Sequence, residues 1–135
     1  MAYIRPLAIT GTIGYGIPGT GAESRSIEWS GAVEYSLLYL QSNVRDQGLG
    51  NFLGRLTPVV EYAFSSPVQA GGGGTTGTIN PGLIWSGQEE QLAIEAMIPV
   101  NRASGSTVGV IAQLHFYIDD LFPHSLGMPI FGGRA

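Results

Sequence analysis

Six stretches of about ten residues each alternate apolar side chains with small or polar ones, and the apolar members are mostly Ile, Val, Leu, Tyr and Trp. Successive side chains of an extended chain point to opposite faces, so a two-residue rhythm describes strands with one greasy face and one hydrophilic face. The final stretch, 107–119, shows it best. Val108, Val110, Ala112, Leu114, Phe116 and Ile118 share one parity, while Thr107, Gly109, Gln113, His115, Tyr117 and Asp119 fill the other.

The remaining strands are expected at 7–17, 27–39, 56–64, 76–85 and 91–100. Their outward sets are Leu7, Ile9, Ile13, Tyr15 and Ile17; then Ile27, Trp29, Val33, Tyr35, Leu37 and Tyr39; then Leu56, Pro58, Val60, Tyr62 and Phe64; then Ile79, Leu83 and Trp85; and finally Leu92, Ile94, Ala96, Ile98 and Val100. The opposite parity carries Glu28, Glu34, Arg55, Glu61, Asn80, Glu95, Gln113 and His115, which are expected to line a polar interior. Segments 76–85 and 91–100, joined by a short Ser-Gly-Gln turn, form the most credible hairpin.

Composition sharpens this reading. Only 12% of residues are charged while 44% are hydrophobic. Soluble domains carry about twice that charge, so too little is present to cover a water-facing surface, and a lipid-facing one resolves the conflict. Gly 21 and Pro 8 fit many turns rather than disorder. No run approaches the roughly 18–20 consecutive apolar residues of a membrane-spanning helix. Six Arg, no Lys and a net charge of −4 leave no basic stripe, so nucleic acid is not an expected partner. Cys is absent, which excludes disulfides and Cys-ligated zinc. The opening MAYIRPLAITGTIG lacks the charged, apolar and cleavage regions of a secretory signal, which is expected to have been removed or to lie outside a fragment.

The expected fold is all-β: antiparallel up-and-down transmembrane β-barrel strands, about six in this chain. Residues 1–121 hold the strands and turns, and 122–135 form a C-terminal tail in which Met128, Ile130 and Phe131 are available to plug the interior or cover an edge. Strands of about nine to eleven tilted residues span a bilayer. Trp29, Tyr39, Tyr62, Phe64, Trp85 and Phe116 fall near strand ends, where an interfacial girdle would place them. Pro58, Pro81 and Pro99 are each expected at a strand end, bulge or rim, because proline has no backbone donor for the ladder.

The segments RPLAITGTIGYGIPG, EYSLLYLQSNV, GTINPGLIWSG and NRASGSTVGVIAQLHFYIDDLFP together resemble the C-terminal part of a family of bacterial outer-membrane transporters related to the meta-pathway phenol degradation proteins. The resemblance implies a barrel in the bacterial outer membrane, of porin type, that passively transports or binds small hydrophobic or aromatic molecules. Members of that family are longer and carry a signal. Six strands cannot enclose a pore with ordinary geometry, and an open sheet leaves two unpaired edges. The expected partners are therefore the lipid bilayer, a small-molecule solute and further copies of the chain, for example two copies completing twelve strands. A second reading is a structural β-rich protein that assembles through its edges at or outside the cell surface.

Chemistry is sparse. His115 with Glu95 and a serine would suit a lipid-modifying hydrolase, but no Gly-x-Ser-x-Gly or His-x-Ser arrangement occurs. The run Gly71 to Gly74 is followed by no Lys-Ser or Lys-Thr, so it reads as a loop tip rather than a phosphate cradle. Asp119, Asp120 and His124 lack the spacing of a calcium loop or zinc site. The expectation is a non-enzymatic protein without cofactor or metal.

Overall fold

The structure, a computed structural model, describes residues 2–4, 6–19, 25–69 and 71–122. The expected tail contacts of Met128, Ile130 and Phe131, and His124, lie outside these described residues. The chain forms one antiparallel sheet in which every strand pairs with its sequence neighbour: β1 (Ala2–Ile4), β2 (Leu7–Gly16), β3 (Ser26–Tyr35), β4 (Leu56–Pro67), β5 (Thr76–Ser86), β6 (Glu90–Pro99) and β7 (Gly109–Phe116). This is an all-β, up-and-down meander of six long strands plus the short β1. The sheet is not closed.

Because directly paired residues share a face, the registers sort every side chain. One row runs Ala8, Glu34, Val59, Gly82, Glu95, Ile111 across β2 to β7, and the next begins Thr10, Ala32, Glu61, Asn80. The buried residues Ala8, Ala32, Val59 and Asn80 all lie on this face. Large apolar residues on the other face stay open: Ile13 is 77% exposed, Ile94 54% and Val110 69%. With no second layer among the described residues, such asymmetry comes from curling, so the polar face is the inner one and the apolar face the outer one.

Two outer-face glycines, Gly31 and Gly77, are covered by aromatic rings. Tyr62 lies across from Gly31, and Phe64 stands between Trp29 and Gly77. Trp29 and Phe64 stack with centroids 4.3 Å apart, and Trp29 meets Tyr62 edge-on at 5.9 Å. At this end of the sheet the 100–108 connection is tied to its neighbours: Asn101 Nδ2 donates to the Thr75 carbonyl at 2.8 Å, and the Gly77 amide donates to Ser104 Oγ at 2.8 Å. The positive φ of Gly71 and Gly73 (both 85°) lets the 68–75 loop turn tightly.

Four sequence expectations need correction. The second long strand stops at Tyr35, not at 39. Ser36 Oγ accepts from the Tyr39 amide at 3.1 Å, capping α1 (Leu37–Tyr39), which runs into a π-helical turn over Leu40–Val44. A serine ahead of Leu-Leu-Tyr-Leu is a helix start, and this local capping overrode the alternation. Consequently Leu37 and Tyr39 are not outward strand residues. The 40–55 connection also holds α2 (Gly50–Leu53).

The last strand covers Gly109–Phe116 rather than 107–119; Ile118 belongs to α3 (Ile118–Leu121), with Asp119 and Asp120 in its first turn where the helix dipole favours acids. Pro81 sits mid-strand, not at an end. It pairs with Val60 on β4, while the ladder to β6 skips Asn80 and Pro81 and resumes in the same register, so its missing donor falls in a gap rather than a bulge. Pro58 and Pro99 do sit where ladders end, just past the last β3 and β7 pairs. Finally β1, three residues long, escaped the pattern because so short a run shows no periodicity.

A Cβ at position 31 would run into the Tyr62 ring and the Thr10 carbonyl oxygen. Gly31→Ala is expected to destabilise the sheet by about 1–3 kcal/mol, read as a lower urea midpoint, and by less in a Tyr62→Leu background.

Candidate functional site

The candidate site is the inner face of the sheet. It collects the carboxylates and the histidine of the strands: Glu28 and Glu34 on β3, Glu61 on β4, Glu95 on β6 and His115 on β7. The exception is Glu90, the first residue of β6, which pairs with Phe116 on the other face. Among the described residues no Arg lies within a strand, so this face is a field of carboxylates without cations interleaved. Small neighbours leave it open. Thr10, Thr12, Gly14 and Gly16 on β2 face Ser26, Glu28, Ser30 and Ala32 on β3.

The expected interior residues take different places within it. Glu61 and Glu95 are half-buried near the middle, Glu34 is half-buried near the end of β3, and Asn80 is buried at 7% exposure. Glu28 is exposed toward the end where β2 meets β3, in register with Ser65 on β4. Gln113 and His115 are exposed on β7, opposite Ala93 and Gln91. Arg55 falls outside the strands. It precedes β4 and lines a cavity of about 560 Å³ in the β3–β4 connection, with Gln41, Ser42, Asp46 and Asn51. Asp46 Oδ1 there accepts from the Gly48 amide at 2.8 Å.

His115 has Gln91 across from it, and Gln91 Nε2 donates to Ser86 Oγ at 3.2 Å one strand further on. Two strand spacings of roughly 4.8 Å therefore separate the histidine row position from this serine, and β6 between them contains no serine. No group of three or more His, Cys, Asp or Glu suited to a metal occurs among the described residues.

A pocket of about 400 Å³ opens at the end of the inner face where β3 leaves the sheet. Pro6, Leu7 and Ala8 supply apolar walls, and Glu34, Tyr39 and Thr57 supply polar groups. Tyr39 was not among the expected interior residues. The signal that would have found Tyr39 is the Ser36 cap, which turns the chain after Tyr35 and takes Tyr39 out of strand alternation.

The outer face is the complement. Between the aromatic cluster at Trp29 and Phe64 and the pair Phe52 and Trp85, whose rings stack at 6.0 Å, β4 and β5 present Pro58, Val60, Tyr62, Ile79, Pro81 and Leu83. Six strands spaced at roughly 4.8 Å, each about ten residues long at ~3.3 Å, give a face of roughly 900 Å². The largest apolar patch on a typical monomer is about 300–600 Å². No helix among the described residues is long and apolar enough to cross a membrane.

The chain matches no protein-family model, no curated protein and no solved structure.

The chain has no Cys, so single cysteines report faces cleanly. In detergent micelles a charged thiol reagent is expected to modify Gln113→Cys at least about tenfold faster than the adjacent Leu114→Cys, since period-two geometry puts them on opposite faces. Equal rates would contradict the assignment of faces.

Proposed function

We propose that this chain forms part of a β-barrel in the bacterial outer membrane, serving as a non-enzymatic passage or binding site for small molecules. The observation that carries this is the inside-out distribution: an apolar outer face bare of charge except at the start of β6, around an inner face that holds the strand carboxylates. Soluble sheets bury the apolar face and expose the charges; barrels in lipid do the reverse.

Dimensions support the same reading. Phe64 pairs with Gly77, eight residues before Trp85 on β5. At ~3.3 Å per residue and the 35–45° tilt usual in barrels, the two aromatic rows would stand roughly 20 Å apart, close to the ~25 Å apolar band of outer-membrane barrels.

The open sheet needs partners. β7 has no strand beyond it, and β1 covers only Leu7–Ile9 of β2, leaving Thr10–Gly16 unpaired among the described residues. Unpaired backbone in hydrocarbon costs several kcal/mol per group. Pairing of these edges with a second copy would complete a twelve-stranded barrel from the long strands. Its carboxylate-lined interior would favour cations and neutral solutes over anions. A small solute with an apolar body fits the pocket walled by Pro6, Leu7 and Ala8, with Glu34 and Tyr39 as its polar contacts. The same open edges also favour a second reading, a structural β-rich assembly at the cell surface, which requires no lipid.

The deciding experiment compares particle size in mild detergent and in plain buffer, followed by planar-bilayer recording. The barrel reading predicts a small, defined oligomer only in detergent, with cation-preferring conductance. Ordered oligomers in plain buffer without conductance would favour the structural assembly. In lipid, Ile94→Arg is expected to destabilise by about 2–4 kcal/mol, whereas Gln113→Arg should change stability by no more than about 0.5 kcal/mol, both read from urea unfolding in vesicles.

A further inference from the structure

Asn80 is the buried polar residue of the sheet, and its Oδ1 has no hydrogen-bond partner. It shares the inner face with Glu61, directly across on β4. Two residues along β5 on the same face lies Gly82, paired with Glu95 on β6. A Cβ at position 82 would collide with Glu95 Cγ, so the absent side chain is what lets Glu95 lie over β5 toward β4. Glu61 on β4 and Glu95 on β6 thus flank the middle of β5 on the same face.

Three oxygen acceptors thus gather around the middle of β5. Ionised carboxylates have no donor to offer, and an amide oxygen has none either. A buried acceptor left without a donor or cation, as Asn80 Oδ1 is, is unfavourable, and two carboxylates on neighbouring positions of one face repel. No Arg lies within a strand of the described sheet to neutralise them.

We propose that Glu61, Glu95 and the Asn80 side-chain carbonyl form a binding site for a hard divalent cation of the calcium type. Calcium takes carboxylate and amide oxygens in flexible geometry and fills its remaining positions with water, which the open inner face supplies. Magnesium demands tighter octahedral geometry and holds its own water, and zinc prefers nitrogen or sulfur donors, which are missing here. The site does not depend on the membrane reading, because an assembly that covers only the outer face or the edges leaves the inner face to water.

The test is calorimetric titration of the full chain with calcium chloride, in whichever of detergent or buffer preserves its β-sheet circular dichroism. One saturable site per chain is expected, weakened at least tenfold in Glu61→Gln and in Glu95→Gln and also in Asn80→Leu, with magnesium chloride binding at least tenfold more weakly than calcium. Glu28→Gln, an inner-face carboxylate away from the cluster, should bind within twofold of the unsubstituted chain. The two near-isosteric Glu→Gln variants keep the test decisive if Asn80→Leu fails to fold. Absence of calcium binding by the folded chain, or equal weakening by Glu28→Gln, Glu61→Gln and Glu95→Gln, would overturn the proposal.

Discussion

Among the described residues the sheet is single, with no second layer over either face. Everything else in this structure follows from what covers the apolar one. Its face of roughly 900 Å², at about 25 cal/mol per Å² of apolar surface removed from water, corresponds to roughly 20 kcal/mol. That exceeds the 5–15 kcal/mol by which whole domains are stable. Leaving it wet would therefore be the largest unfavourable feature of the molecule, and placing it in hydrocarbon removes the difficulty without any second layer of protein.

The inner face is organised by the opposite need. Its small residues on β2 and β3 leave room, and its carboxylates stand where water can reach them rather than under a packed core. Aromatic rings mark both ends of the outer band. Trp29 stacks on Phe64 at one end and its Nε1 donates to Ser66 Oγ at 3.4 Å, while Trp85 stacks on Phe52 at the other. An indole with an apolar body and one partnered polar atom, as at Trp29, suits the boundary between hydrocarbon and water, whereas the Trp85 Nε1 is buried without a partner.

Much of this was legible in the sequence because the period of a strand is short and strict. The outward and inward sets of β2, β4, β5, β6 and β7 follow parity, and one register slip would have inverted a whole strand. What parity could not show is where a local alternative wins. Ser36 ends β3 by capping a helical turn, although Val33, Tyr35, Leu37 and Tyr39 keep the rhythm. Pro81 is tolerated mid-strand because the β5–β6 ladder opens at that point, a tertiary fact with no sequence mark. The site was legible as a list of polar residues and not as an arrangement: the room Glu95 takes over β5 depends on Gly82, which reads in sequence as an ordinary turn-former. Closure, partners and edges depend on contacts beyond one chain, and periodicity carries no information about them.

Both tryptophans lie on the outer face near opposite ends of the apolar band, so their surroundings report directly on what that face meets. The most direct measurement is tryptophan fluorescence of the chain reconstituted in vesicles whose lipids carry bromine on the acyl chains, set beside quenching by aqueous iodide. The account predicts strong quenching by the brominated lipids and weak quenching by iodide. Quenching by iodide with none from the brominated chains would contradict it.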